Sequence, residues 1–287
     1  GVMSGKGYAQ EEFPVLEGPY MGQTPPGRTA EAFAPGVIST DGWELEGVFA
    51  PGMNEFYFVT DGENFNFPTD NEKYDRPTIF GFRFEDNSWR KFIEMPRTGE
   101  PFITADGETM HLAKGYRERT ASGWSELKSL GPMFERDEWG IMRLTASDNG
   151  TYVFDDYKSG DVIRVSTIAD GERQEPVELP EHINSGELTA HPFIAPDESY
   201  LIWDSEREGG FGASDLYISF RQADGSWGSA INMGPQVNSD KSDFYGSVTP
   251  DGRFLMFDRK ISGSGATLNV DIYWVDDQII DNLRRSQ

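Results

Sequence analysis

The chain has 287 residues, with 49 acidic against 25 basic side chains, a formal charge of −24, no cysteine, 13% aromatic residues, 32 Gly and 17 Pro. So acidic a surface repels DNA, RNA and anionic membranes, and the missing thiols exclude disulfides, thiolate metal sites and cysteine nucleophiles. No apolar run nears the ~20 residues that span a bilayer, whereas many aromatics, glycines and prolines suit short strands joined by tight turns.

In chain order, "GVMSGKGYAQEEFP" has no apolar signal-peptide core. It reads as the start of a mature exported chain, within an N-terminal extension over 1–30 that precedes a single domain over 31–287. The strand-like "EAFAPGVIST" (31–40) follows without an evident partner. A hairpin pattern then recurs five times: "VFAPGMNEFYF", "FITADGETMHL", "LTASDNGTYVF", "FIAPDESYLIW" and "SVTPDGRFLMF". These copies start at 48, 102, 144, 193 and 247, so successive spacings are 54, 42, 49 and 54 residues. In each, an apolar strand meets a turn of Pro, Asp, Asn or Gly and returns as a second strand ending in apolar or aromatic residues.

A third strand follows each hairpin: "IFGFRF" (79–84), the weaker "GYRERT" (115–120), "VIRVST" (162–167), "DLYISF" (215–220) and "DIYWVD" (271–276). After four of them a polar turn, three times with a tryptophan (Trp89, Trp124, Trp227), leads into a fourth. Four antiparallel strands repeated at this period predict an all-β fold, a β-propeller of stacked blades. The last copy stops after its third strand, before the polar or helical tail "DQIIDNLRRSQ". Residues 31–40 are therefore expected to supply its outer strand and close a ring of five blades without a free edge. A sixth, degenerate blade within 1–40 is the alternative.

The motifs "PDE" (196–198), "SDLYISFR" (214–221), "GSW" (225–227) and "PDG" (250–252) resemble the WD-like propeller repeats of the TolB type. The likeness is strong over 187–276 and weaker over 42–180, where "SDNG" (147–150) and "PGMN" (51–54) replace the Pro-Asp-Gly turn. It implies a propeller, and a periplasmic or secreted home in a bacterium. It implies no particular function.

Propeller geometry assigns the long, irregular loops 60–77, 131–140, 205–214 and 260–269 to one face, where binding usually resides. The inner strands begin on that face. Two positions before the aligned starts lie Glu46, Glu100, Met142, His191 and Tyr245, with Arg143 and Asp243 close by. Just past the second strands come Asp155, Asp156, Asp204, Arg207, Asp258 and Arg259. The expected ligand-binding set is Glu46, Glu100, Arg143, His191, Asp204, Arg207, Asp243, Tyr245, Asp258 and Arg259, with Glu46, Glu100, His191 and Tyr245 as catalytic candidates.

Three kinds of chemistry fit these residues. Glu46 and Glu100 could be the carboxylate pair of a glycosidase. Arg143 could neutralise a uronate while His191 and Tyr245 shuttle protons in an elimination. Alternatively, the charges satisfy one another around the channel, with Asp204–Arg207 and Asp258–Arg259 bracing loops and the tryptophans packing blades. No metal or cofactor is expected. Nucleophile-elbow, phosphate-loop and calcium-loop patterns are absent, the three histidines at 111, 182 and 191 do not compose a zinc centre, and nothing supports calcium at Asp243 or Asp155–Asp156. The favoured expectation is an exported propeller binding a small polar or saccharide ligand at its channel mouth, with no nucleic-acid partner and no membrane insertion. A carbohydrate-active enzyme, hydrolase or uronate lyase, and a TolB-type protein-interaction scaffold acting through the long loops are the alternatives.

Overall fold

Strand pairing in the computed structural model, which describes residues 14–61 and 77–287, resolves into five antiparallel sheets arranged as propeller blades and one two-stranded ribbon, Ile168–Ala169 with Glu172–Arg173. Residues 1–13 and most of the expected loop over 60–77 lie outside the described residues. Blade 1 runs Leu45–Phe49, Glu55–Thr60, Thr78–Glu85 and Ser88–Pro96, and Leu16–Glu17 pairs onto its outer strand. Blade 2 comprises Pro101–Ile103, Thr109–Leu112, Gly115–Glu118 and Lys128–Ser129. Blade 3 comprises Leu144–Ala146, Tyr152–Asp156, Val162–Ser166 and Val177–Glu178. Blade 4 comprises Glu187–Ile194, Tyr200–Glu206, Asp215–Phe220 and Ile231–Asn232.

Blade 5 takes its inner three strands, Ser242–Val248, Phe254–Ser262 and Asn269–Asp276, from the C-terminal part of the chain. Its outer strand is Glu31–Ala32, paired with Trp274 and Tyr273. The strand left over in the sequence thus closes the ring. No sixth sheet forms among the described residues before Leu45; those residues serve the outer edges of blades 1 and 5. The C-terminal tail is the helix Gln278–Arg285, which sends Ile279 and Ile280 into the core.

A blade exposes two apolar faces, so the core lies between neighbours. The largest cluster joins blades 5 and 1, where Phe33, Phe49, Phe56, Phe254 and Trp274 pack edge-on or tilted. Other clusters fill the seams between blades 4 and 5, 3 and 4, 1 and 2, and 2 and 3. On the short-loop face, Arg119 stacks on Trp124 and Arg221 on Trp227, at 4.1 and 3.9 Å from the ring centres, while Trp89 Nε1 donates to the Gly18 carbonyl. These tryptophans fasten the blade turns.

Phe33 has no exposed surface and touches aromatic rings of both the first and last blades. Phe33→Ala is expected to cost about 3–5 kcal/mol in urea denaturation, because it opens a cavity where the ring closes. A loss below about 1 kcal/mol would show that closure does not depend on this contact.

Candidate functional site

Three of the five inner strands, those of blades 1, 4 and 5, enter the ring through a backbone kink. Glu46, His191 and Tyr245, at equivalent positions of blades 1, 4 and 5, have φ of 60°, 54° and 59°, and the register shifts at each. Left-handed backbone at non-glycine residues is costly and persists only where the surroundings enforce it. Here the enforcement is a carboxylate from the preceding blade. Asp258 accepts the Glu46 N–H at 3.1 Å, Asp155 the His191 N–H at 2.9 Å, and Asp204 the Tyr245 N–H at 2.9 Å. Asp155 also accepts the Met142 and Arg143 amides of its own blade. Gly246 follows one kink, and a Cβ there would lie 3.0 Å from the Ile202 side chain of blade 4, so a larger residue would press on that seam.

The kinks turn charged side chains toward the common axis. A chain of ion pairs links blades 1, 2 and 4. Arg97, from the connector between blades 1 and 2, holds Glu46 through both Nε (3.2 Å) and Nη2, and its Nη2 also reaches Glu100 at 3.4 Å. Glu100 meets His191 Nε2 at 3.2 Å, and His191 Nδ1 meets Asp204 at 2.9 Å. The Arg143 guanidinium lies 3.9 Å from the centre of the Tyr245 ring and donates to the Gly246 and His191 carbonyls at 2.8 and 3.2 Å. Tyr245 Oη donates to the Pro101 carbonyl at 2.5 Å. Glu46, Glu100, Arg143 and Tyr245 are buried, while the Arg97 side chain is 30% exposed and that of His191 14%.

Ionisation follows from this burial. Desolvation pushes the Glu46 carboxyl up to about 7 against the pull of Arg97. Burial acts on Glu100 in the same sense, but His191, Arg97 and Arg143 together hold it below the usual carboxylate range. Burial also opposes charge on His191, yet the carboxylates on its two ring nitrogens, Asp204 first, raise its pKa well above the usual value. Asp155 is raised by burial to about 6, and burial raises Asp258 well above the ordinary range.

The structure therefore brings together Glu46, Glu100, Arg143, His191, Tyr245, Asp204 and Asp258. It places the remaining three elsewhere. Arg259 closes on Asp243 at 2.6 Å, its neighbour across the first two strands of blade 5, and on the Val237 carbonyl. Arg207 donates to the Ile183 and His182 carbonyls and lines an open cleft of about 780 Å³ beside blade 4, with Glu187, Glu206 and Glu208. Neither expected brace forms as paired in the sequence: Asp204 serves His191 and Tyr245, and Asp258 serves Glu46. Arg97 was missed because it stands in a connector outside the repeat. Its one sequence signal is a position three residues before Glu100 in "PRTGEP".

Reactive geometry is limited by how thoroughly these atoms are engaged. The gap between Glu46 and Glu100 is occupied by Arg97, and the donors of Tyr245 and of Arg143 Nη1 are committed to backbone carbonyls. Two buried atoms of this cluster, Glu100 Oε2 and Arg143 Nε, nevertheless have no hydrogen-bond partner among the described residues. Among the described residues no helix is long and apolar enough to cross a membrane.

No protein-family model matches the chain, and no curated protein matches it in sequence. Similar solved structures include TolB from Acinetobacter baumannii, at 12% identity and a TM-score of 0.45, covering 81% of this chain and 54% of that one. The chain thus spans about half the length of that TolB. A thermostable family-43 glycoside hydrolase is similar at 14% identity and a TM-score of 0.46, covering 80% of this chain and 88% of that one. A gluconolactonase from Xanthomonas campestris is similar at 11% identity and a TM-score of 0.44, covering 91% and 96%. The five-bladed architecture rests on the sheet pairings described above.

The raised Glu46 pKa has a stability consequence. Between about pH 4.5 and 7 the folded chain keeps a proton that the unfolded chain releases, so stability falls as pH rises through that window. Glu46→Gln removes the titration. In urea melts, wild type should lose on the order of 2 kcal/mol more than the variant between about pH 5 and pH 8. Parallel profiles for the two proteins would contradict this ionisation.

Proposed function

We propose that this propeller is an exported binding protein for a small polar ligand, a saccharide in particular, received without turnover at the loop-rich end of its axis. The observation that carries the reading is where the buried charge chain meets solvent. It surfaces at Arg97 and His191, and beside His191 the partly buried Phe244 ring lies 5.8 Å from the imidazole. Hydroxyl groups suit the charged donors and acceptors, and the apolar face of a sugar ring suits Phe244. Support for export is the resemblance of the repeats to the TolB type.

The absence of turnover follows from occupancy. A general acid or base needs its proton within reach of a reacting atom, and here the candidate groups spend theirs on one another. One observation favours a second, catalytic reading: burial drives Glu46 up while His191, Arg97 and Arg143 hold Glu100 down, a split of the kind acid–base pairs use.

A panel of plant and marine oligosaccharides, followed by calorimetry and product analysis, separates these readings. Binding without product is expected, and Phe244→Ala should weaken it roughly tenfold with little change in melting temperature. No binding by wild type, or equal binding by the variant, would defeat the proposal. Accumulating product that Glu46→Gln abolishes would establish the catalytic alternative instead.

A further inference from the structure

We propose that Glu100, Asp155 and His191, from three successive blades, form a site for one first-row divalent metal ion such as Zn²⁺. One donor atom from each lies within 4.8 Å of the other two. Donors bound at about 2.0–2.2 Å to a shared ion stand up to roughly 4.4 Å apart, so a small rotation of the long Glu100 side chain completes the geometry.

An independent sign of a missing partner is Glu100 Oε2. It is buried in a residue only 5% exposed and has no hydrogen-bond partner among the described residues. Leaving a carboxylate oxygen unpaired in the interior is costly, and a cation beside it removes that cost.

His191 is already posed as a ligand. Asp204 takes its Nδ1 at 2.9 Å, which leaves Nε2 directed at Glu100. A carboxylate behind the imidazole is the usual way of fixing ring orientation and tautomer in a metal-bound histidine. The left-handed backbone at His191, held by Asp155 through the amide, fixes the side chain's origin as well. When the ion binds, it replaces the proton on Nε2, which passes to solvent.

Charge points the same way. Five buried carboxylates, Glu46, Glu100, Asp155, Asp204 and Asp258, surround this end of the axis, against the guanidiniums of Arg97 and Arg143. The donor set selects the metal. One imidazole with two carboxylates suits zinc or manganese better than calcium or magnesium, which prefer oxygen alone. Counting histidines in the sequence argued against such a centre, but a single imidazole suffices once blades 2 and 3 bring the carboxylates.

The test uses the full chain stripped by a chelator and titrated with Zn²⁺ in a calorimeter. One ion per chain is expected, with a melting temperature raised by several degrees at excess metal. Glu100→Gln and His191→Gln should each weaken binding at least tenfold, and Asp204→Asn roughly 10–100-fold by releasing the ring. Phe244→Ala should bind zinc as wild type does even where it loses saccharide, so the metal claim stands or falls apart from the ligand reading. If the axial variants do not fold, anomalous scattering from zinc-soaked wild-type crystals decides. A peak bounded by the three residues supports the site. No zinc binding by wild type, unchanged binding in folded axial variants, or anomalous peaks only at surface carboxylates would overturn it.

Discussion

Around the axis, the side chain of one blade satisfies the backbone of the next. Asp155, Asp204 and Asp258 lie within the second strands of blades 3, 4 and 5, and each accepts the amide of a kinked residue in the following inner strand. A hydrogen bond to a charged group is worth about 1.5–3 kcal/mol, the same order as the strain of a left-handed residue. The latch and the kink therefore depend on each other. Without the carboxylate the amide is stranded; without the kink, Glu46, His191 and Tyr245 do not turn inward together.

That coupling explains why this end of the axis is so densely charged and yet buried. Carboxylates recruited to hold backbone amides must sit inside the ring, and burying them demands counter-charges. Arg97, Arg143 and His191 supply these, each from a different blade or connector. The result is a rigid, pre-oriented set of groups whose exposed ends are few.

Much of the ring was legible from the sequence because the hairpin turns announce themselves. Pro, Asp, Asn and Gly recur between apolar strands, so the period, the third strands and the unpaired segment at 31–40 could be read directly. Alignment of the repeats also brought Glu46, Glu100, His191 and Tyr245 to one place, since equivalent positions on a ring face a common axis. The partners of these residues were not legible. Asp204 and Asp258 look like mates for the nearby Arg207 and Arg259, but they reach across to the next blade, a contact with no trace in local spacing. Arg97 lies in a connector that the repeat does not govern. Ionisation was hidden too, because Glu46 and Glu100 are identical as letters and differ only through the charges around them.

Native-state hydrogen exchange at the amides of Glu46, His191 and Tyr245 probes the latches without any substitution. All three should exchange in the slowest class, opening only when the whole ring unfolds. Exchange as fast as at the exposed loop amides of Gly209 and Gly263 would mean that the carboxylates do not hold the kinks, and that the axial cluster has another origin.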